Sequence, residues 1–141
     1  KEVVWPALET GVTVVADRYT ASTVAYQGHG RELPLALVEQ LNHAATGGLN
    51  PDLTVLLDLP VGDGLRRRPS NARDRFDAEL PAEGETEGGP GIPGFHERVR
   101  QGFLAMAMEE PQRWLVLDGA LPAKEISNRV WAAVLAKLQE S

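Results

Sequence analysis

Asp17 and Arg18 stand side by side at the end of a short apolar run, Thr13-Val14-Val15-Ala16, and Ser22, Thr23, Tyr26 and Gln27 follow closely. An arginine presents a planar fork of donors that matches a phosphate. An aspartate accepts hydrogen bonds or holds a hydrated magnesium ion. Ser22, Thr23 and Gln27 add neutral donors and acceptors, enough to read the edge of a base. The run before Asp17 is β-branched and apolar, which predicts a buried parallel strand over 13–16. Ligands of open parallel sheets sit outside the carboxyl ends of the strands, and Asp17-Arg18 falls at such an end.

Asp17-Arg18-Tyr19, Ser22-Thr23 and Ala25-Tyr26-Gln27-Gly28, extended by Gly30-Arg31, resemble the signature of the bacterial-type thymidylate kinases. The likeness continues through Gly47 to Thr54, Leu56 to Pro60, Arg66-Arg67-Arg68, Asp74-Arg75-Phe76, Phe95 to Arg100 and Leu117-Asp118-Gly119, in the family's order. It implies a P-loop-type three-layer α/β fold, with a parallel sheet flanked by helices and a flexible, Arg-rich lid over about 66–94. Residues 1–141 are then the C-terminal two-thirds of one nucleotide kinase domain. The implied reaction moves the γ-phosphate of ATP to dTMP, giving dTDP, with Mg2+ as cofactor. The family is typically a homodimer, and the apolar helices Val3–Leu8 and Leu35–Ala45 are candidates for that contact.

The resemblance also assigns residues. Arg18 grips the acceptor phosphate, where an isolated arginine would be read as a surface ion pair. Asp17 orients Arg18 or holds a magnesium-bound water, unless it only caps the next turn. Thr23 and Gln27 lie beside the thymine ring, and Tyr26 packs near the deoxyribose or is an ordinary core aromatic. Ser22 contacts substrate or caps. Among the lid arginines, Arg73 and Arg75 rank first as catalytic groups, in the manner of an arginine finger supplied within the chain. Arg66 and Arg67 belong to the ATP side, or form the basic end of a helix. Asp118, Ala120 and Pro122 lie against the adenine mainly through backbone atoms, or form a plain connecting loop. Two other readings stand beside this one: a related deoxynucleotide or deoxynucleoside kinase for another base, and a non-catalytic nucleotide-binding module without a P-loop.

The elements that must position these groups read as an α/β order. A helix over Glu2–Glu9 stops at Gly11. The strand and signature turn follow, then a flexible loop at Gly28-His29-Gly30-Arg31. A helix over Leu35–Ala45 carries Leu37, Leu41 and Ala45 on one face, and Gly47 to Asp52 is a turn cluster. Leu53–Leu59 is apolar on both faces and predicts a central strand ended by Pro60. Val61–Arg68 starts another helix. Pro69 to Gly94 is charged, rich in Gly and Pro, and too poor in large apolar residues to form a core element. Phe95–Met108 carries Phe95, Val99, Phe103 and Met106 along one stripe. Trp114–Leu117 is a strand ending at Asp118, and Ala123–Leu138 is a helix with Ile126, Val130, Val134 and Leu138 at four-residue spacing. Trp5, Trp114 and Trp131 read as packing residues.

Composition narrows the classes. A chain of 141 residues suits one core, and 14 basic against 20 acidic side chains give a net charge of −6, which disfavours nucleic-acid binding. No cysteine occurs, so there is no disulfide and no thiolate site. His29, His43 and His96 match no zinc spacing. No run is long enough to span a membrane, and a cytoplasmic location is the default. The sequence contains no Gly-x-x-x-x-Gly-Lys-Ser/Thr. The family resemblance requires that loop on a first strand, so roughly 60–75 upstream residues are expected.

Overall fold

The apolar stripe of Phe95, Val99, Phe103 and Met106 is the centre of packing in the computed structural model, which describes residues 3–66 and 94–140. Helix α5 (Phe95–Glu109) buries Phe95 and Val99 against Ala25, with Tyr26, Phe103 and Met106 packed around them. The surface they meet is a π-helix, Val24–Gly30, which continues directly from the short helix α2 (Thr20–Thr23). Its wide turn closes with the Arg31 N–H donating to the Tyr26 carbonyl, five residues back, at 3.1 Å.

The two helices approach so closely because the facing positions lack side chains. A Cβ on Gly30 would stand 2.7 Å from Phe95 and 2.8 Å from Val99. A Cβ on Gly102 would meet the His29 ring at 2.6 Å. On the other side, Gly28 leaves room for Leu35, the first residue of α3 (Leu35–Thr46). The Asn42 amide donates to the Thr20 carbonyl at 3.2 Å, joining α3 to α2. Helix α1 (Val4–Glu9) is tied to the end of α3 by the Trp5 indole N–H, which donates to the Thr46 carbonyl at 3.3 Å.

Strands β1 (Thr54–Asp58) and β2 (Trp114–Asp118) pair in parallel, with Thr54 opposite Trp114 and Asp58 opposite Asp118. Helix α4 (Val61–Arg66) follows β1, a 3-10 turn (Pro111–Arg113) leads into β2, and α6 (Ala123–Glu140) follows it. Asp58 faces α5. The Arg100 Nε and Nη2 donate to its two carboxylate oxygens at 2.7 and 2.9 Å, with the side chains 23% and 27% exposed for Asp58 and Arg100. That bond holds the Asp58 carboxyl below its usual pKa, against the opposing effect of partial burial. It also raises Arg100.

Two expectations change. Residues 13–16 are not a strand: the segment has no regular secondary structure and no ladder, and Val15 is 92% exposed. A β-branched run becomes a strand only when a neighbour accepts its backbone groups, and among the described residues only β1 and β2 pair. Gly28 to Gly30 is not a loop but the end of the π-helix, because packing against α5 overrides the low helical propensity of glycine. On α3 it is Val38 that is buried, while Leu37 and Leu41 stay exposed.

Two outcomes are expected. Gly30→Ala overpacks the α5 contact and lowers stability by about 1–3 kcal/mol in chemical denaturation; an unchanged midpoint would contradict the close approach. Asp58→Asn costs about 1 kcal/mol at pH 7. A carboxyl that is more acidic folded than unfolded stabilises above its unfolded pKa, and that gain is lost as pH falls through the folded value. The gap between the variants therefore closes below about pH 4, and a gap independent of pH would contradict the pairing.

Candidate active site

The signature turn is built around a strained arginine. Arg18 has φ 64°, in the left-handed region that non-glycine residues enter at a cost of about 1–3 kcal/mol. This backbone turns the chain from the run over 13–16 into α2. The Arg18 guanidinium carbon lies 5.3 Å from the centre of the Tyr26 ring, a cation–π distance. Tyr26 is held in turn by edge contacts to Phe95 and Phe103, at ring-centre distances of 6.1 and 6.5 Å. The packing of α5 thus reaches the exposed guanidinium through one aromatic ring.

The remaining signature residues follow from the helix. Ser22 lies in α2, its backbone N–H donating to the Tyr19 carbonyl at 3.0 Å. Thr23, exposed, is the last residue of α2, and Gln27, half-buried, lies four residues on in the π-helix. The Gln27 carbonyl accepts from Leu33 N–H at 3.1 Å. Asp17 is exposed, and α2 has no side-chain cap, so the capping alternative for Asp17 is not realised.

A second group of residues lies where β1 and β2 end. The Asp118 carboxylate accepts from the Ala120 N–H at 2.7 Å, and the Gly119 N–H donates to the Asp58 carbonyl at 2.7 Å. The Pro122 carbonyl accepts from Glu125 and Ile126 at the start of α6. Asp118 therefore shapes the loop through its side chain, while Ala120 and Pro122 take part through backbone atoms.

Magnesium bound mainly by nucleotide phosphates needs only one or two protein carboxylates. Among the described residues no cluster of three metal-ligating side chains occurs. Asp58 is paired with Arg100 and Asp118 accepts from Ala120, whereas Asp17 is exposed at the signature turn. A cavity of about 320 Å3 between Gly28, His29, Glu32, Leu35, Arg98 and Gln101 lies behind the π-helix rather than at Arg18.

Arg67, Arg73 and Arg75 lie outside the described residues, and Arg66 is the last residue of α4. Sequence reasoning assigned no role to Arg98, Arg100 or Asp58. A usable signal was present: Arg98 and Arg100 flank Val99 on the buried stripe, so their charged ends must find partners close to the core. Arg100 finds Asp58, and Arg98 finds the carbonyl of Gly30.

Residues 1–130 match the family model described as thymidylate kinase. A thymidylate kinase of Desulfovibrio desulfuricans is 46% identical over 138 residues, covering 98% of this chain and 62% of that relative. One of Deinococcus radiodurans is 48% identical over 136 residues, covering 95% and 60%. The crystal structure of thymidylate kinase from Ehrlichia chaffeensis superimposes with a TM-score of 0.56 at 26% identity, over 82% of this chain and 48% of that one. The chain thus spans about three-fifths of the length of these curated relatives, 62% and 60%. With the parallel pair flanked by helices and the signature turn in place, the chain belongs to the thymidylate kinase family.

Proposed function

We propose that this protein is a dTMP kinase, transferring the γ-phosphate of ATP to dTMP. The observation that carries the reading is the Arg18 fork stacked on Tyr26 at the signature turn, in a chain of this family. A dTMP phosphate oxygen attacks the γ-phosphorus, the bond to the leaving ADP oxygen breaks, and dTDP forms. The acceptor oxygen is already largely ionised near neutral pH, so no strong base is required. Arg18 neutralises and orients the acceptor phosphate. Thr23 and Gln27 read the thymine edge, Tyr26 packs against the deoxyribose, and Ser22 supports the same turn. Asp17 would hold magnesium through water, and the ion would supply charge neutralisation at the phosphates.

On the donor side, Asp118, Ala120 and Pro122 form the adenine-side loop, and the family likeness assigns Arg66, Arg67, Arg73 and Arg75 to ATP and the transferring phosphate. Residues 1–141 belong to one kinase domain, as its C-terminal two-thirds, and its partners are ATP, dTMP and a second copy in a homodimer. Among the described residues no helix is long and apolar enough to cross a membrane. We assign the enzyme to the cytoplasm and to dTDP synthesis.

The test is ATP-dependent dTDP formation by the full-length protein. Product from another deoxynucleoside monophosphate but not from dTMP would select the other-base reading, and no transfer with any would select the non-catalytic module. Arg18→Ala should lower kcat/KM for dTMP by about 10–100-fold, the loss of a charge-assisted contact. An unchanged kcat/KM would remove Arg18 from the acceptor site.

A further inference from the structure

We infer that Arg98, on α5, is a positioning residue for the acceptor nucleotide, acting through the carboxyl end of the π-helix; this rests on the dTMP kinase reading. The Arg98 Nε and Nη2 both donate to the single carbonyl oxygen of Gly30, at 3.2 and 2.8 Å, across 68 residues of sequence. Gly30 is the last residue of the π-helix, and the last carbonyls of a helix lack donors from their own turn. Arg98 supplies two charged donors to one of them. π-helical turns are rare, form the wider ring seen here at Tyr26–Arg31, and are frequent at functional sites.

The bond fixes one end of a short lever. Gln27 and Tyr26 lie three and four residues before Gly30, about one turn away. Another constraint on that turn, the contact of Tyr26 with Phe95 and Phe103, comes from the same helix α5. Without Arg98 the Gly30 carbonyl loses its donors while the apolar packing stays. The π-helix can then relax towards α-helical winding, which rotates Gln27 and Tyr26 relative to Arg18. Among the described residues Arg98 has no hydrogen bond or ion pair to Asp118 or the adenine-side loop, so its effect belongs to the acceptor side.

The test compares Arg98→Met and Arg98→Lys with the wild type in the full-length protein, by steady-state kinetics and by calorimetry with dTMP alone. Arg98→Met should raise KM and Kd for dTMP by about tenfold, leave KM for ATP within about twofold, and be partly rescued by lysine, which keeps one donor. A merely structural role would lower the active fraction, reducing apparent kcat with both KM values unchanged, and that result overturns the inference. So does an equal rise in both KM values. Should Arg98→Met fail to fold, Arg98→Lys decides: a rise in KM for dTMP alone supports the role, and wild-type KM values overturn it. If the wild type neither binds dTMP nor converts it, the function proposed above fails and this inference fails with it. A wild type that is active, with variants that keep its dTMP affinity, removes only the inference.

Discussion

The close approach of the π-helix to α5 is the constraint on which the rest depends. It exists because Gly30 and Gly102 present hydrogen where any other residue would place a carbon against Phe95, Val99 or His29. Into that space go the buried Ala25 and the edges of Tyr26, Phe95 and Phe103. Dense packing of this kind transmits position with little slack. The ring of Tyr26 is therefore placed by α5, and Arg18 is placed over the ring. An exposed cation acquires a defined location from a core several residues away.

Two polar ties from neighbouring positions of α5 extend this arrangement. Arg98 reaches the end of the π-helix, and Arg100 reaches the end of β1. Val99 lies between them and is buried. One turn of helix thus holds the signature segment by one guanidinium and the sheet by another, with the apolar stripe as the fulcrum. The carboxyl end of β1 is joined directly to that of β2 through the Gly119 N–H and Asp58 carbonyl, so the loop after β2 is referred to the same helix.

Much of this was legible in the sequence, and the failures have physical causes. The stripe of Phe95, Val99, Phe103 and Met106 identified α5 because a helix reveals its buried face by spacing alone. The strands at 54–58 and 114–118 were legible as the short apolar runs Leu53–Leu59, ended by Pro60, and Trp114–Leu117, ended at Asp118. Thr13–Ala16 has the same composition and is not a strand, since a ladder is a property of two segments and composition describes one. Gly28 to Gly30 looked like a loop because glycine favours one locally; here glycine serves distance to α5, which is a tertiary requirement. Asp58 and Arg100 are 42 residues apart, so nothing local announces their pairing. Arg18, Tyr26 and Gln27 were legible as a group through a known signature, whereas the π-helical turn that presents two of them was not.

A crystal structure of the full-length protein with dTMP is the most direct test of whether this packed turn presents an acceptor site. The expected result places a phosphate oxygen of dTMP about 2.7–2.9 Å from the Arg18 guanidinium. The thymine edge should lie within hydrogen-bond reach of Gln27, and the sugar should lie against Tyr26. A nucleotide bound with its phosphate on other residues, and with Arg18 still directed only at the Tyr26 ring, would contradict it.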